Sequence, residues 1–185
     1  MRRGFKAEAE RLAARLRADM DLSADAPVQP HIVAAHMGVR IYSADTLVDR
    51  SRLEELRRLQ EDAFSAATFR LPDGRAVVVT NPLNAPARTN SDVAHELSHL
   101  LLEHELGQVE RLGDVEFFTC DAEQEEEANW LAGCLLLPRP LLLNAARRGW
   151  SPEKIADCHG VSIPMARFRL NTSGVLAQVK RSTRS

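Results

Sequence analysis

The feature that constrains this chain most is residues 93–102, where Val93, Ala94, Leu97, Leu100, Leu101 and Leu102 surround His95, Glu96 and His99. A helix apolar on so many sides is buried. Buried imidazoles and carboxylates are costly unless something pairs with them, so the fold must bring a partner to this helix. Four residues along a helix amount to about 40° of rotation and ~6 Å of rise, so His95 and His99 can reach one cation at roughly 2.0–2.1 Å. The spacing predicts a metal site, with His95 and His99 as two of its ligands.

His95-Glu96-Leu97-Ser98-His99 matches the H-E-x-x-H pattern of zinc peptidases. In that pattern zinc lowers the pKa of a bound water to about 7, and Glu96, adjacent to the first ligand, takes its proton as a carbonyl is attacked. A catalytic zinc needs a third protein ligand and one open position. The metzincin continuation needs glycine at 102 and histidine at 105, where this chain has Leu102 and Glu105. In a helix that continues to about Glu105, Glu103 sits ~12 Å along the axis from His95 and His104 points to the opposite side, so neither closes the site.

The acidic start of a later helix is the remaining source, Glu123, Glu125, Glu126 and Glu127. Its inward stripe of Ala128, Leu131, Ala132 and Leu135 reaches Glu125 by a step of three. Glu125 is therefore the expected third ligand and Glu127 the next choice; acids that merely favour a helix N-terminus are the other reading. Asn129, one turn on, either orients a ligating histidine or bonds nearby backbone.

The chain's 185 residues fit one compact domain, or one with a small appendage. A net charge of −2 and 44% apolar content exclude a disordered or uniformly basic protein. Cys120, Cys134 and Cys158 are odd in number and contain no Cys-x-x-Cys pair, which suits a reducing compartment. Charged residues from Glu8 to Arg17 occupy the place of a signal peptide's apolar core, and no run approaches roughly 18 apolar residues. A cytoplasmic location is expected.

Local patterns predict an exposed amphipathic helix over about 4–19 on Phe5, Leu12 and Leu16, then a short helix ended by Gly38 and a strand over 39–42. A charged helix follows over 49–62. Residues 66–80 read as a β-hairpin around Pro72-Asp73-Gly74. Asn90, Ser91 or Asp92 can cap a helix starting near Val93. Residues 107–119 read as a loop with a possible short strand at 115–118, and a helix over about 122–137 stops at Pro138. The reading is α+β and mostly helical with a small sheet, divided into a domain over 1–137 and a basic segment over 138–185.

That last segment carries nine Lys or Arg against Glu153 and Asp157, whereas residues 103–127 carry ten acids against Arg111 alone. Ser151 as a cap, Gly160 as a turn and Ser162 as a second cap resemble a helix-turn-helix. It either makes a weak DNA contact or packs on the core; few base-reading side chains favour the second. His31, His36 and His159 read as surface or capping residues, and nothing places Tyr42 near the metal.

Asn81, Ala94 to Leu102, Glu125 to Ala132 and Leu135 to Pro138 together resemble the ImmA/IrrE family of metallo-endopeptidases. The resemblance implies a zincin-like peptidase domain, with His95, His99 and Glu125 as Zn2+ ligands and Glu96 as the catalytic glutamate. It also implies, as substrate, a helix-turn-helix transcriptional repressor. Ser98 stands where glycine is common, Leu131 where phenylalanine is common, and Asp92-Val93 where an aromatic-containing segment usually precedes the motif. Gluzincin-like placement of a strand before the metal helix suggests residues 77–80 as an edge for an extended substrate, or else a doubly paired central strand. The competing function is a DNA- or protein-binding regulator with a structural or vestigial metal site, for which Glu96 would have no use.

Overall fold

The computed structural model describes residues 1–104, 108–112, 115–119 and 121–182, the two segments within 108–119 by their backbone. Cys120 and Glu105 lie outside the described residues. Helix α1 (Phe5–Asp19) leads to α2 (Pro30–His36), strand β1 (Arg40–Ser43) and α3 (Arg50–Leu59). A hairpin of β2 (Ala66–Arg70) and β3 (Ala76–Thr80) turns at Gly74, whose φ of 83° favours a residue without Cβ. Next come α4 (Pro86–Leu101), a second hairpin of β4 (Gln108–Leu112) and β5 (Val115–Thr119), and α5 (Ala122–Leu136). Helices α6 (Arg139–Arg147), α7 (Pro152–His159), α8 (Ile163–Thr172) and α9 (Val175–Ser182) complete a mostly helical α+β fold.

The first sheet has the order β1-β3-β2, with β1 parallel and β2 antiparallel to β3. Strand β3 is thus paired on both sides, and residues 77–80 are not an edge. The pairing partner is β1, a four-residue strand more than 30 positions away, which no local pattern around β3 announces. Its inner face, with Val78 fully buried, lies against α4.

Helix α5 runs through the middle of the molecule. Ala128, Leu131, Ala132 and Leu135 are buried as the stripe requires, and Trp130, Cys134 and Leu136 are buried as well, so the second half of the helix has neighbours on every side. Burial pushes the Cys134 thiol up to about 12, well above the ordinary cysteine range. Helix α1 is one of the neighbours and is not an exposed helix: Phe5, Ala9, Ala13 and Leu16 form a buried stripe against α5. The two alanines carry no strong hydrophobic signal, but their small side chains let the backbones approach.

The carboxyl end of α5 is capped from afar. The buried Arg17 of α1 donates to the Leu135 carbonyl at 3.1 Å, and the fully buried Arg169 of α8 donates to that of Leu137 at 3.2 and 3.3 Å. Two cations thereby satisfy carbonyls that the helix leaves unpaired. Ser151 and Ser162 cap α7 and α8, and Gly160 between them has a φ of 62°. This pair of helices packs on the core: Ile155, Val161, Ala166 and Leu170 join the same apolar cluster as Phe5, Val78 and Leu97. Asn90 donates to the Gly160 carbonyl, and Ser91 accepts from the Ser162 amide, both at 2.9 Å.

Those bonds correct the expected start of α4. The helix begins at Pro86, whose fixed φ and missing N–H suit a first-turn position, so Asn90, Ser91 and Asp92 lie inside it. They face the C-terminal helices and the β2 approach instead of capping. No described helix is long and apolar enough to cross a membrane.

Candidate metal centre

Helix α4 presents both imidazoles to one point. His95 Nε2 and His99 Nε2 are 3.0 Å apart, and the Glu125 carboxylate spans them, with Oε2 3.2 Å from His95 Nε2 and Oε1 3.2 Å from His99 Nε2. Among the described residues these three are the group whose ligand atoms cluster closely enough to hold an ion. A tetrahedral zinc with ligand bonds of 2.0–2.1 Å separates its ligand atoms by about 3.3 Å, so the cluster fits. Glu125 sits in the first turn of α5, which Asp121 caps by accepting from the Glu123 amide at 2.8 Å. Packing of α4 on α5 brings the two sequence segments together.

The far nitrogens of both rings are held. His95 Nδ1 meets Asn129 Oδ1 at 3.1 Å; this leaves Nε2 with a lone pair toward Glu125. His99 Nδ1 meets His104 Nδ1 at 3.0 Å, while His104 Nε2 faces Glu127 Oε2 at 3.7 Å. With neither ring protonated on Nε2, two imidazole lone pairs and a carboxylate converge there, an arrangement that a metal ion resolves or, in metal-free protein, a proton on His95.

His104 does not point to the opposite side, because α4 does not continue through it. The His104 amide donates to the His99 carbonyl and the Glu103 amide to that of Leu100, while Glu103 takes a φ of 53°. This is a Schellman stop with glutamate where glycine is usual. The sequence offers no glycine there, so the stop and the returning histidine were missed. Glu127, the second choice for a ligand, is buried against His104 and lies outside the cluster; Glu126 is exposed.

Glu96 accepts a hydrogen bond from Thr68 Oγ1 at 2.7 Å, which ties it to strand β2. Thr68 was not singled out from sequence, since a hydroxyl in a short strand carries no signal of its own. Bonds from His95 and His99 hold the Glu125 carboxyl far below the ordinary carboxylate range. For His95 burial pushes the pKa down, but the bond and charge of Glu125, the charge of Glu96 and the Asn129 contact outweigh it and raise the value. Burial, with the charge of His99, lowers that of His104.

The remaining candidates lie elsewhere. His31 and His36 are exposed on α2, Tyr42 lies on the strand farthest from β2, and the His159 ring lies tilted to that of Trp150, their centres 6.3 Å apart. A concavity of about 460 Å³ beside Glu54, Arg57, Arg58, Glu61 and Leu83 contains none of the clustered groups, so the chemistry and not the volume marks the site.

A helix carrying H-E-x-x-H, packed on a small mixed sheet and completed by a carboxylate from a second buried helix, is the framework of a metallopeptidase. The chain belongs to the peptidase family described as the IrrE N-terminal-like domain, whose model matches residues 34–171. That span runs from within α2 nearly to the end of α8 and contains every residue of the cluster. Among curated proteins, none matches this sequence significantly.

Proposed function

We propose that this chain is a zinc-dependent endopeptidase that cleaves a helix-turn-helix transcriptional repressor, with His95, His99 and Glu125 as metal ligands and Glu96 as general base. The convergence of two Nε2 atoms and a carboxylate within 3.2 Å carries the reading. A zinc ion there supplies Lewis acidity toward the scissile carbonyl and the attacking water. Glu96 takes the proton of that water and returns it to the leaving amine, while Thr68 fixes the carboxylate in one orientation. The cluster is half-buried, with His95, His99 and Glu125 side chains 19, 12 and 36% exposed, so a peptide segment can reach it.

The repressor as substrate rests on family resemblance. Purified chain, zinc and any helix-turn-helix repressor found encoded beside its gene make the test. Specific cleavage by wild type, none by Glu96→Gln, and equal zinc in both support the proposal. An active Glu96→Gln variant refutes the assignment of the base, and intact repressors in every mixture remove the substrate class.

A further inference from the structure

The second nitrogen of His99 has a partner of an unusual kind. His95 leans on an exposed asparagine, but His99 leans on His104, whose side chain is 8% exposed and which faces Glu127, 7% exposed. The other Glu127 oxygen accepts the Arg2 amide at 3.1 Å and lies 3.4 Å from Arg2 Nε. We propose that His104, backed by Glu127, is a positioning residue that fixes the ring of His99 for metal binding. This rests on the metal reading given above.

Proton placement supports the assignment. With His99 Nε2 directed at Glu125, its Nδ1 carries the hydrogen and donates to His104 Nδ1. Nε2 of His104 is then the N–H, and it points at the Glu127 carboxylate. The line Arg2, Glu127, His104, His99 thus leads to the cluster through hydrogen bonds at its two ends and a 3.7 Å charge contact between His104 and Glu127, the role a carboxylate or carbonyl plays behind a metal-bound histidine. Packing alone does not call for it: this end of α4 is bordered by Leu100, Leu101 and Leu102, and a leucine at 104 would bury more cheaply than an imidazole facing a buried carboxylate. The left-handed turn at Glu103 brings His104 back to the ring instead of out to solvent.

Zinc affinity, measured by competition with a chromophoric chelator on the full chain, tests this in wild type, His99→Ala, His104→Leu, His104→Gln and Glu127→Gln, with melting of each metal-free protein alongside. We expect His104→Leu to bind zinc 10–100-fold more weakly, as loss of such a partner does elsewhere. His104→Gln, whose amide oxygen can accept the same hydrogen, stays within about threefold of wild type on the same scale, and Glu127→Gln weakens binding in the same direction as His104→Leu. Wild-type affinity in His104→Leu and Glu127→Gln overturns the proposal, as does His104→Gln as weak as the leucine variant, or affinity that merely tracks metal-free melting temperature. Should His99→Ala bind as wild type does, the metal reading itself fails and this inference with it.

Discussion

Gly133 lies in the interior of α5 where α8 crosses, and a Cβ added there would collide with Arg169 Cδ and stand 2.8 Å from Cγ and 3.2 Å from Nε. The Arg169 side chain cannot swing clear, because it is fully buried and bonded to the Leu137 carbonyl and, at 2.8 Å, to Glu10. Gly133→Ala therefore overpacks the crossing, at about 1–3 kcal/mol, and displaces a charge-assisted bond of roughly 1.5–3 kcal/mol. Higher helix propensity returns about 1 kcal/mol. The net expectation is a loss of about 2–4 kcal/mol, or about 5–15 °C in Tm for a domain this size. Urea unfolding of metal-free Gly133→Ala, Arg169→Ala and the double variant measures it. Removing the obstructing Cγ and Cδ of Arg169 should make the double variant lose at least about 1 kcal/mol less than the two single losses together. A neutral or stabilised Gly133→Ala, or strict additivity, would show that the α5–α8 contact is not as close as described.

Two further expectations concern the site itself. Thr68→Val removes the hydroxyl that holds Glu96, so cleavage should fall about 10–100-fold in kcat while zinc content stays at wild type, and Thr68→Ser should retain activity. A Thr68→Val enzyme with full kcat would release Thr68 from any role in orienting the base. In metal-free protein the raised pKa of His95 makes its pairing with Glu125 stabilising in full below about pH 6.5, and that stability is lost as pH climbs through the raised folded value. The stability advantage of metal-free wild type over His95→Gln should thus shrink from pH 6 to pH 9. Zinc affinity should rise over the same interval, since protons compete for the same nitrogen. A metal-free advantage that grows with pH would contradict the assigned ion pair.

Periodicity within one helix located most of the cluster. His95 and His99 follow from a four-residue spacing, and Glu125 from the apolar stripe of α5, because both signals are local and the chain obeys them. What escaped depends on contacts between distant segments or on a departure from the usual stop signal. Glu103 adopts a left-handed turn that glycine would have advertised, and so His104 was misplaced. Whether β3 is an edge or a central strand, open from its own pattern, is decided by β1, and the burial of Arg17 and Arg169 by carbonyls at the end of a helix neither belongs to.

The claim that these three side chains share one ion is tested most directly by zinc K-edge absorption of the loaded protein, compared with Glu125→Ala. Two imidazole nitrogens and one protein oxygen at roughly 2.0–2.1 Å are expected in wild type, with the oxygen contribution altered and binding weakened in the variant. A spectrum lacking imidazole scattering, or one unchanged by Glu125→Ala, would contradict the account.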